Sequence, residues 1–458
     1  MVSEFHPSKL ALLTDLYELT MAASYFENNM FEPATFSLFV RKYPPNRHYF
    51  VSAGLADVLT FLENFQFTQD DLAYLDTMEM FSPTFLDYLE KLRFEGDVYA
   101  IPEGNIFFKN EPILEVTAPI IQAQLVESFI INAINLQTVI ATKASRCIYA
   151  ARGRSLVDFS LRRTQGVDAG IKVARASYIG GFGGTSNTLA GKIYGIPVFG
   201  TMAHSYIQCF EHELDAFLAF AHTFPKNAVL LIDTYNTIAG AHKAVNVAKK
   251  MQAKGEKLRG VRLDSGDVAK LSKEVRGIFD EAGLKDIMIF ASGGLDEFKI
   301  AHVVRRGCEI DSFGVGTKMG VSADAPYLDM AYKLVRYAGK PVMKLSPGKI
   351  TLVDKKQVFR ILDSDGKFKR DIIGLRDDHI EGASPLLIPV MAQGRMLGRQ
   401  PALTEIQKHF LKEFKNLDER YKVLEGPVEE YPVTLSPRLQ ELQDRVEHQI
   451  IEKELGES

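Results

Sequence analysis

Short apolar runs alternate with longer amphipathic stretches through the middle of the chain, from Ser155 to about Met330. The runs have the length of buried strands, whereas the stretches between them repeat their apolar positions with helical spacing. This spacing predicts helices at residues 168–179, 185–194, 206–223, 237–253, 268–282 and 295–306. The alternation is typical of parallel strands joined by right-handed crossovers, and about six strands are visible. We therefore predict an irregular or incomplete (β/α) barrel, with an open doubly wound sheet as the alternative.

The chain on either side of this region has a mixed pattern, and the part after it cannot continue the barrel. Before it, the sequence predicts helices at 14–28 (capped by Thr14), 55–65, 70–75, 83–92 and 120–152, and strands at 35–41 and within 97–116. After it, the sequence predicts antiparallel strands at 333–343 and 349–368, turns at 339–341, 346–348 and 363–366, and charged helices at 404–417 and 437–455. We therefore expect an α/β protein with a discontinuous α+β domain, residues 1–135 with 331–458, and a barrel domain, residues 136–330.

The composition argues against several classes of protein. The chain has 458 residues, too many for one typical core, and its net charge of −4 gives no field that would attract nucleic acid. Its three cysteines, Cys147, Cys209 and Cys308, lack metal-ligand spacing and are expected to be reduced thiols. Residues 1–7 have no signal-peptide features, and no stretch of about 18 apolar residues stands out. We predict a cytoplasmic protein with no nucleic-acid or membrane partner.

Polar or glycine-rich clusters follow the apolar runs of the predicted barrel. They are Arg162–Arg163, Gly200–His204, Asp233, Asp264–Asp267, Ser292–Gly294 and Gly314–Thr317. The carboxyl ends of parallel barrel strands open on one face, where such folds do their chemistry. We therefore expect these clusters to meet.

Arg262 and Asp264 are two residues apart on a predicted strand, so their side chains point to the same face. The small residues Ser265 and Gly266 would let a ligand approach, and the Asp264 carboxylate could accept from sugar hydroxyls or hold Mg²⁺. A structural ion pair between Arg262 and Asp264 is the alternative. For Asp267, the expected role is to cap the next helix.

Two successive strand ends carry glycines, at Ser292–Gly294 and Gly314–Thr317. Backbone N–H groups at such turns can cradle phosphate, so together with an arginine they predict a phosphorylated ligand. The run Gly180–Gly184 also resembles a phosphate loop, but it lacks the Lys-Ser/Thr ending, and a flexible connection is the alternative. Arg162–Arg163 could bind an anion, although one of the two is expected to point away.

His204 lies at the end of a predicted strand. A lone histidine more often has a structural role, but this one follows Gly200 and Thr201 and can face Asp233 from the next strand. An aspartate that fixes the orientation of an imidazole makes it a base or a nucleophile. We therefore predict a catalytic role for His204.

Six sequence strings then occur in an informative order. They are LTDLYELTM at 13–21, DFSLRR at 158–163, TSNTLAG at 185–191, GTMAHS at 200–205, GVRLDSG at 260–266 and FGVGT at 313–317. Together they resemble nicotinate phosphoribosyltransferase. The resemblance implies the type II phosphoribosyltransferase fold, an irregular α/β barrel with a second domain built from both chain ends, usually as a head-to-tail homodimer. It also implies ATP-coupled transfer of the phosphoribosyl group from phosphoribosyl pyrophosphate to nicotinate, which gives nicotinate mononucleotide for NAD biosynthesis.

The same resemblance implies roles for individual residues. His204 is similar to the histidine that ATP phosphorylates, and Phe159 and Tyr17 are similar to the rings that stack on the pyridine, with Tyr17 supplied by the partner subunit. Catalytic roles are expected for His204, Asp233 and Asp264. Substrate contacts are expected from Arg162, Asn187, Thr201, Arg262, Ser265, Gly266, Ser292, Gly293, Gly316 and Thr317. ATP and Mg²⁺ carried by the substrate phosphates are the implied cofactors, with no prosthetic group.

Asn187 and Ala203 bear on the choice of base. Related nicotinamide enzymes resemble this chain but carry an acidic residue at the position of Asn187 and Glu at the position of Ala203. An acidic group suits an amide and repels a carboxylate, so Asn187 favours nicotinate. The open alternatives are transfer to nicotinamide or quinolinate, a non-catalytic sensor of phosphoribosyl ligands, and an unrelated barrel lyase or glycosidase, for which Lys318 would be the lysine at a strand end.

Overall fold

The structure is a computed structural model that describes residues 9–346 and 351–456. The chain forms two compact units, one from the residues up to Val139 and from Tyr327 onward, the other from Ile140–Pro326. The division points lie within a few residues of the predicted domain boundaries. The predictions for residues 1–7, for the turn at 346–348 and for the start of the strand at 349–368 fall wholly or partly outside the described residues.

Strands and helices are numbered here in chain order within the described residues. The strands are β1 Pro33–Val40, β2 Phe50–Val51, β3 Asp97–Ala100, β4 Ile106–Phe107, β5 Leu114–Pro119, β6 Ser155–Asp158, β7 Gly184–Thr185, β8 Val229–Leu231, β9 Gly260–Leu263, β10 Met288–Ala291, β11 Ser312–Val315, β12 Met330–Tyr337, β13 Lys340–Pro341, β14 Lys356–Leu362, β15 Phe368–Leu375, β16 Ala383–Pro385, β17 Ile388–Ala392, β18 Arg395–Met396 and β19 Val433–Leu435. The helices are α1 Leu16–Glu27, α2 Leu55–Glu63, α3 Gln69–Asp76, α4 Pro83–Lys91, α5 Ile120–Leu125, α6 Glu127–Ala151, α7 Val167–Ile179, α8 Thr188–Tyr194, α9 His204–Gln208, α10 Glu213–Thr223, α11 Thr237–Gln252, α12 Val268–Glu281, α13 Glu297–Arg305, α14 Thr317–Gly320, α15 Leu403–Asn416 and α16 Pro437–Ile450.

A sheet of six parallel strands forms the centre of the second unit, in the order β7-β6-β11-β10-β9-β8. Among the described strands of this sheet, those that follow one another in the chain pair with each other, except β7 and β8. The last strand, β11, pairs with the first, β6, so the sheet forms a ring that is open only between β7 and β8. A doubly wound sheet would instead reverse its order at a switch point. The predicted fold class, an irregular α/β barrel, is therefore confirmed, and the open-sheet alternative is wrong.

The barrel strands are apolar because helices cover them. Leu231, Val261, Leu263 and Ile289 are fully buried. The helices that follow begin at polar caps, since the side chains of Asn187, Asn236, Asp267 and Asp296 each accept the backbone N–H three residues ahead. These caps fix where each strand end turns into a helix, and so they fix the positions of the loops between them.

Antiparallel pairing dominates the first unit. Its largest sheet has seven strands in the order β13-β12-β1-β5-β3-β17-β18, a second has the order β16-β14-β15-β19, and β2 pairs with β4 in a third. The strand β1 lies between β5 and β12, so it joins the two ends of the chain. Across this pairing the rings of Phe36 and Tyr332 stack with centroids 4.8 Å apart. The predicted strands do not include β2 or β16 to β19, and they include only the first residue of β15.

Two predicted helices are each divided in the structure. The stretch predicted at 206–223 is α9 and α10, separated by residues 209–212, and the stretch predicted at 120–152 is α5 and α6, separated by Val126. Neither break contains a glycine or a proline, so no helix-breaking residue in the sequence reveals them.

The region Ile120–Ala151 is long and apolar enough to cross a membrane by length and composition. The segment includes polar residues such as Gln124, Glu127 and Asn132, so it is not an uninterrupted run of about 18 apolar residues. Moreover, 67% of its most apolar window is buried inside the protein. A helix that is surrounded by protein on most sides is apolar nearly all round, which explains why its length and composition resemble those of a membrane span. A single such helix is weak evidence for a membrane span.

Candidate active site

Arg262, on β9, is the centre of a hydrogen-bonded cluster at the carboxyl end of the barrel strands. Its Nη2 donates to Oδ1 of Asp264 at 2.7 Å, and its Nε donates to Oγ of Ser292 at 2.8 Å. Its Nη1 donates to Oγ1 of Thr201 at 3.2 Å and to the backbone oxygen of Met202 at 3.3 Å. One guanidinium thus joins the ends of β9 and β10 to the segment before α9, and it brings together predicted site residues from three parts of the chain.

The ring of Phe159 lies beside this guanidinium. Cζ of Arg262 is 5.6 Å from the centroid of the ring, and the ring of Phe290 is 5.5 Å away, centroid to centroid. A Cβ at Gly314 would come within 2.8–2.9 Å of these two rings, so a side chain there would displace them. An aromatic face next to a cation is a platform on which a flat anionic ring can stack.

Asp264 is held as a carboxylate. Burial raises its pKa, but hydrogen bonds from Ser292 and Arg262 and the charge of Arg262 outweigh burial, so the pKa lies below its ordinary value. Oδ1 accepts both hydrogen bonds, and Oδ2 lies 3.9 Å from Nε2 of His204. The imidazole therefore has an anion beside it that is too distant for a direct hydrogen bond.

His204 is the first residue of α9, and its side chain is 41% exposed. From its place at a strand end it is expected to face Asp233, but its Nδ1 lies 3.1 Å from Oγ1 of Thr234. Oδ2 of Asp233 instead accepts hydrogen bonds from the backbone N–H of Asp264 at 2.8 Å and from Oγ of Ser265 at 2.7 Å. Two consecutive side chains after β8 thus diverge, one toward the turn after β9 and the other toward the imidazole. Asp233 supports this turn and does not hydrogen-bond to His204.

The glycine-bearing strand ends pack directly against this cluster. Gly293 has a φ of +93°, and a Cβ there would lie 1.9 Å from the backbone oxygen of Asp264. A Cβ at Gly316 would lie 3.2 Å from the backbone oxygen of Phe159. Thr317 follows as the first residue of α14, and within residues 9–346 and 351–456 no hydrogen bond links its side chain to the cluster. Phosphate binding by these turns stays a prediction.

Two further predicted residues and one predicted cap stand apart from these contacts. Arg162 lies exposed in a short 3₁₀ turn after β6 and, in the described part of the chain, makes no hydrogen bond or ion pair with the cluster. Gly266 forms the tight turn after β9 with a φ of +79°. Asp267 caps α12, and its hydrogen bonds from Arg306 at 2.8 Å lower its pKa. Its expected role as a helix cap is confirmed.

Asn187 is buried, and both heteroatoms of its amide are already engaged. Oδ1 accepts the backbone N–H of Ala190 at 3.1 Å, and Nδ2 donates to the backbone oxygen of Gly170 at 3.1 Å. The side chain therefore ties the start of α8 to α7. A contact of this amide with a ligand would have to compete with these two bonds, so the selectivity expected of Asn187 has no direct support in its geometry.

The run Gly180–Gly184 is a packed connection between α7 and β7. A Cβ at Gly180 would lie 2.5 Å from the backbone oxygen of Ala141, and a Cβ at Gly184 would lie 2.4 Å from that of Pro197. Phe182, in the middle, is fully buried. These glycines allow close packing of backbone on backbone, so the run has neither the open form of a phosphate loop nor that of a loose connection.

Tyr17, in the first unit, lies on α1 and is 49% exposed. The next residue, Glu18, is fully buried and accepts hydrogen bonds from Thr14 and, at 2.9 Å, from Oγ of Ser128. Burial is the main cause that raises the pKa of Glu18 to about 7. Thr14 is not the helix cap that the sequence predicts, because the N-cap is Asp15 and the Thr14 hydroxyl turns to Glu18.

Thr234 and Phe290 contact predicted site residues, but they are not themselves among the residues predicted from the sequence. Thr234 directly follows a predicted residue, and Phe290 directly precedes the end of a predicted strand, so position alone offered a signal for both. A cavity of about 460 Å³ in the first unit, lined in part by Arg41, Lys42 and Lys356, contains none of the predicted site residues. This cavity therefore does not overlap the predicted site.

Comparisons with known proteins indicate the family of the chain. Three sequence models match the chain: the nicotinate phosphoribosyltransferase (NAPRTase) N-terminal domain at residues 12–135, the NAPRTase family at 154–366 and the nicotinate phosphoribosyltransferase C-terminal domain at 379–443. A nicotinate phosphoribosyltransferase of Mycobacterium tuberculosis is 48% identical over 430 residues, which cover 94% of this chain and 92% of that protein. The Bacillus subtilis enzyme of the same name is 38% identical over 98% of this chain and 99% of its own.

A solved structure gives the same result at the level of the fold. The crystal structure of human nicotinic acid phosphoribosyltransferase matches with a TM-score of 0.85 and 29% identity, over 94% of this chain and 99% of that one. Because the sequence relatives and this structure cover nearly the whole chain, they include both units described above. The chain belongs to the nicotinate phosphoribosyltransferase family.

Proposed function

We propose that this protein transfers the 5-phosphoribosyl group of phosphoribosyl pyrophosphate to nicotinate, forming nicotinate mononucleotide for NAD biosynthesis. The pyridine nitrogen attacks the anomeric carbon of the ribose, and a C–N bond forms as the C–O bond to pyrophosphate breaks. Pyrophosphate leaves with the electron pair. The observation that carries the proposal is the convergence of Arg262, Asp264 and Ser292 beside the ring of Phe159.

Each of these residues suits one part of the reaction. Phe159 offers a face for the pyridine ring, and Arg262 provides a fixed positive charge for the nicotinate carboxylate or for phosphate oxygens. Asp264, as a carboxylate, can accept from ribose hydroxyls and stabilise the positive charge that develops on the sugar. Ser292 holds Arg262 and Asp264 in their mutual orientation through its hydroxyl.

ATP coupling is proposed to proceed through His204. A ring nitrogen attacks the γ-phosphorus of ATP, so that an N–P bond forms, the P–O bond to ADP breaks and ADP leaves with the electron pair. Water later attacks the phosphorus and releases phosphate and the free imidazole. The exposure of the His204 side chain and its place beside the Arg262 cluster support this role.

Magnesium is proposed to enter with the substrate phosphates. Oδ1 of Asp233 is buried and, within the described residues, accepts no hydrogen bond, and Asp264 is ionised nearby. These two carboxylates could each supply an oxygen ligand, and water and substrate oxygens would supply the others. Bound Mg²⁺ would neutralise the charge that develops on the leaving pyrophosphate.

A homodimer is the proposed assembly, with Tyr17 completing the site of the partner subunit. Each unit exposes large apolar side chains: Leu13, Leu16 and Tyr17 in the first, and Val167, Leu189 and Ile193 in the second. Mixing two inactive variants, Tyr17→Ala and Phe159→Ala, tests this arrangement. A shared site predicts recovery of activity on mixing, because one site of the mixed dimer is intact, and no recovery would refute it. We place this assembly in the cytoplasm.

The function is tested by steady-state turnover of nicotinate, nicotinamide and quinolinate, each with and without ATP. We expect turnover of nicotinate that ATP increases. Product from another base alone would reassign the substrate, and binding of phosphoribosyl pyrophosphate without any product would identify a sensor.

The coupling step is tested with γ-labelled ATP. Label should enter the wild-type protein and be absent from His204→Ala, which should keep a slow transfer that ATP does not increase. His222→Ala, an exposed histidine of α10, is the matched control and should label as wild type does. Full stimulation of His204→Ala by ATP would contradict the coupling proposal.

A further inference from the structure

The hydroxyl of Thr234 is the hydrogen-bond partner of the imidazole of His204. We propose that Thr234 is a positioning residue, which holds this imidazole in the orientation from which it exchanges a phosphoryl group with ATP. The inference rests on the proposed phosphorylation of His204. It adds a residue outside the motifs that identify the family.

The contacts of the imidazole are few. Nδ1 lies 3.1 Å from Oγ1 of Thr234, whereas Nε2 lies 3.9 Å from Oδ2 of Asp264, beyond hydrogen-bond distance. In residues 9–346 and 351–456, Thr234 is thus the single side chain that hydrogen-bonds to this ring. A ring that is 41% exposed would otherwise turn freely about its side-chain torsions.

The surroundings of Thr234 make it the fixed member of the pair. Its β-branched side chain has a restricted χ1 torsion. On one side of it, the Asp233 carboxylate is tied to the turn at 264–265, and on the other, Asn236 caps the sixteen-residue helix α11. His204, by contrast, begins a helix of five residues whose N-cap, Ala203, makes no side-chain cap bond. Orientation is therefore imposed by Thr234 on His204.

A hydroxyl is chemically suited to this task. It can donate to an unprotonated ring nitrogen or accept from a protonated one, so it can hold either neutral tautomer. It also adds no negative charge. A carboxylate in the same place would favour the imidazolium, which has no lone pair for attack on phosphorus. Thr234 thus fixes the ring without reducing its capacity as a nucleophile.

The test compares wild type with Thr234→Val and Thr234→Ser in the full-length protein. The rate of label incorporation from γ-labelled ATP and the stimulation of nicotinate turnover by ATP are measured, together with turnover in the absence of ATP. We expect Thr234→Val to lower the first two quantities about tenfold, the effect of one lost hydrogen bond, and to leave the third within about twofold. Thr234→Ser, which keeps the hydroxyl, should restore both.

Controls separate positioning from general damage. Thr223→Val removes a hydroxyl that donates to the backbone oxygen of Ala219 within α10, and it should behave as wild type in all three assays. If Val at 234 lowers the melting temperature, Thr234→Ala provides a second hydroxyl-free variant of smaller volume.

The outcomes distinguish this inference from the coupling proposal beneath it. Labelling of wild type that is lost in His204→Ala but unchanged in Thr234→Val and Thr234→Ala would overturn the role of Thr234 alone. An equal loss of ATP-dependent and ATP-independent turnover would also overturn it, because that is the result of a structural defect. No labelling of wild type would overturn the phosphorylation of His204 and this inference with it.

Discussion

Asn187 donates a hydrogen bond from Nδ2 to the backbone oxygen of Gly170, at 3.1 Å, inside the protein and away from solvent. An aspartate has no donor to offer this carbonyl. Asn187→Asp should therefore place a carboxylate oxygen against a carbonyl oxygen and destabilise the fold by about 1–3 kcal/mol, measured by denaturant unfolding.

Asn236→Asp is the matched control for this substitution. Asn236 caps α11 through Oδ1 in the same way, but it is exposed, and an aspartate there keeps the cap. Its stability should change by less than about 0.5 kcal/mol. A new activity toward nicotinamide in Asn187→Asp, at unchanged stability, would contradict the structural role and restore Asn187 as a selectivity residue.

Arg262→Lys tests the importance of the guanidinium geometry. The three nitrogens of Arg262 reach four acceptors on three segments, and a single ammonium cannot replace this planar fork. We expect kcat/KM to fall by about a hundredfold, or roughly 2.7 kcal/mol of transition-state stabilisation, with a larger loss in Arg262→Ala. Arg306→Lys, on the exposed pair with Asp267, is the control, and an equal effect there would show that the assay reports general damage.

Gly293→Ala should distort the site through the backbone. The added Cβ would lie 1.9 Å from the backbone oxygen of Asp264, at a φ of +93° that other residues rarely adopt. We expect a loss of stability of about 2–4 kcal/mol and a loss of activity, since the turn that carries Asp264 must move. Gly255→Ala has a φ of +74° and no atom near the added Cβ, so it isolates the backbone cost and should lose about 1 kcal/mol with full activity.

Glu18 should make stability depend on pH. Its pKa is raised from 4.5 to about 7 in the folded protein, chiefly by burial, so the folded state binds its proton more tightly than the unfolded state does. This group therefore contributes fully to stability below about pH 4.5, and the contribution falls as the pH rises toward 7, by roughly 3 kcal/mol at most.

Glu18→Gln removes this dependence. Thermal or denaturant unfolding between pH 5 and 8 should show a smaller decline in stability for Glu18→Gln than for wild type, with the variant relatively more stable at pH 8. Glu441→Gln, on the exposed side of α16, should follow wild type. Parallel curves for wild type and Glu18→Gln would contradict the raised pKa.

The barrel could be predicted well because its signals are local. The helix α11 is found at Thr237–Gln252 against a prediction of 237–253, since a side-chain cap and a regular apolar face define it without help from the rest of the fold. The strands of the first unit carry less local information. β17, for example, has a single fully buried residue, Met391, among exposed or half-buried ones, and it exists through its pairing with β3, which lies far away in sequence.

In the site, the sequence predicts where residues lie better than it predicts where their side chains point. The sequence predicts Arg262, Asp264 and Ser292 at the carboxyl ends of barrel strands, and the structure brings them into contact. The sequence does not reveal which of two neighbouring side chains faces the histidine, nor that the amide of Asn187 is used within the protein. Those choices depend on tertiary contacts, because a side chain turns toward whichever partner the packed fold places within reach.

The position of β1 also determines the order in which the protein can be completed. One edge of β1 pairs with β5, but its other partner, β12, is translated only after the whole of the second unit. On the ribosome the barrel sequence is therefore available in full while β1 still has an open edge, the kind of surface that invites wrong pairing. The nascent chain must therefore keep that edge of β1 unoccupied until β12 is translated, before β17 and β18 extend the other side of the same sheet.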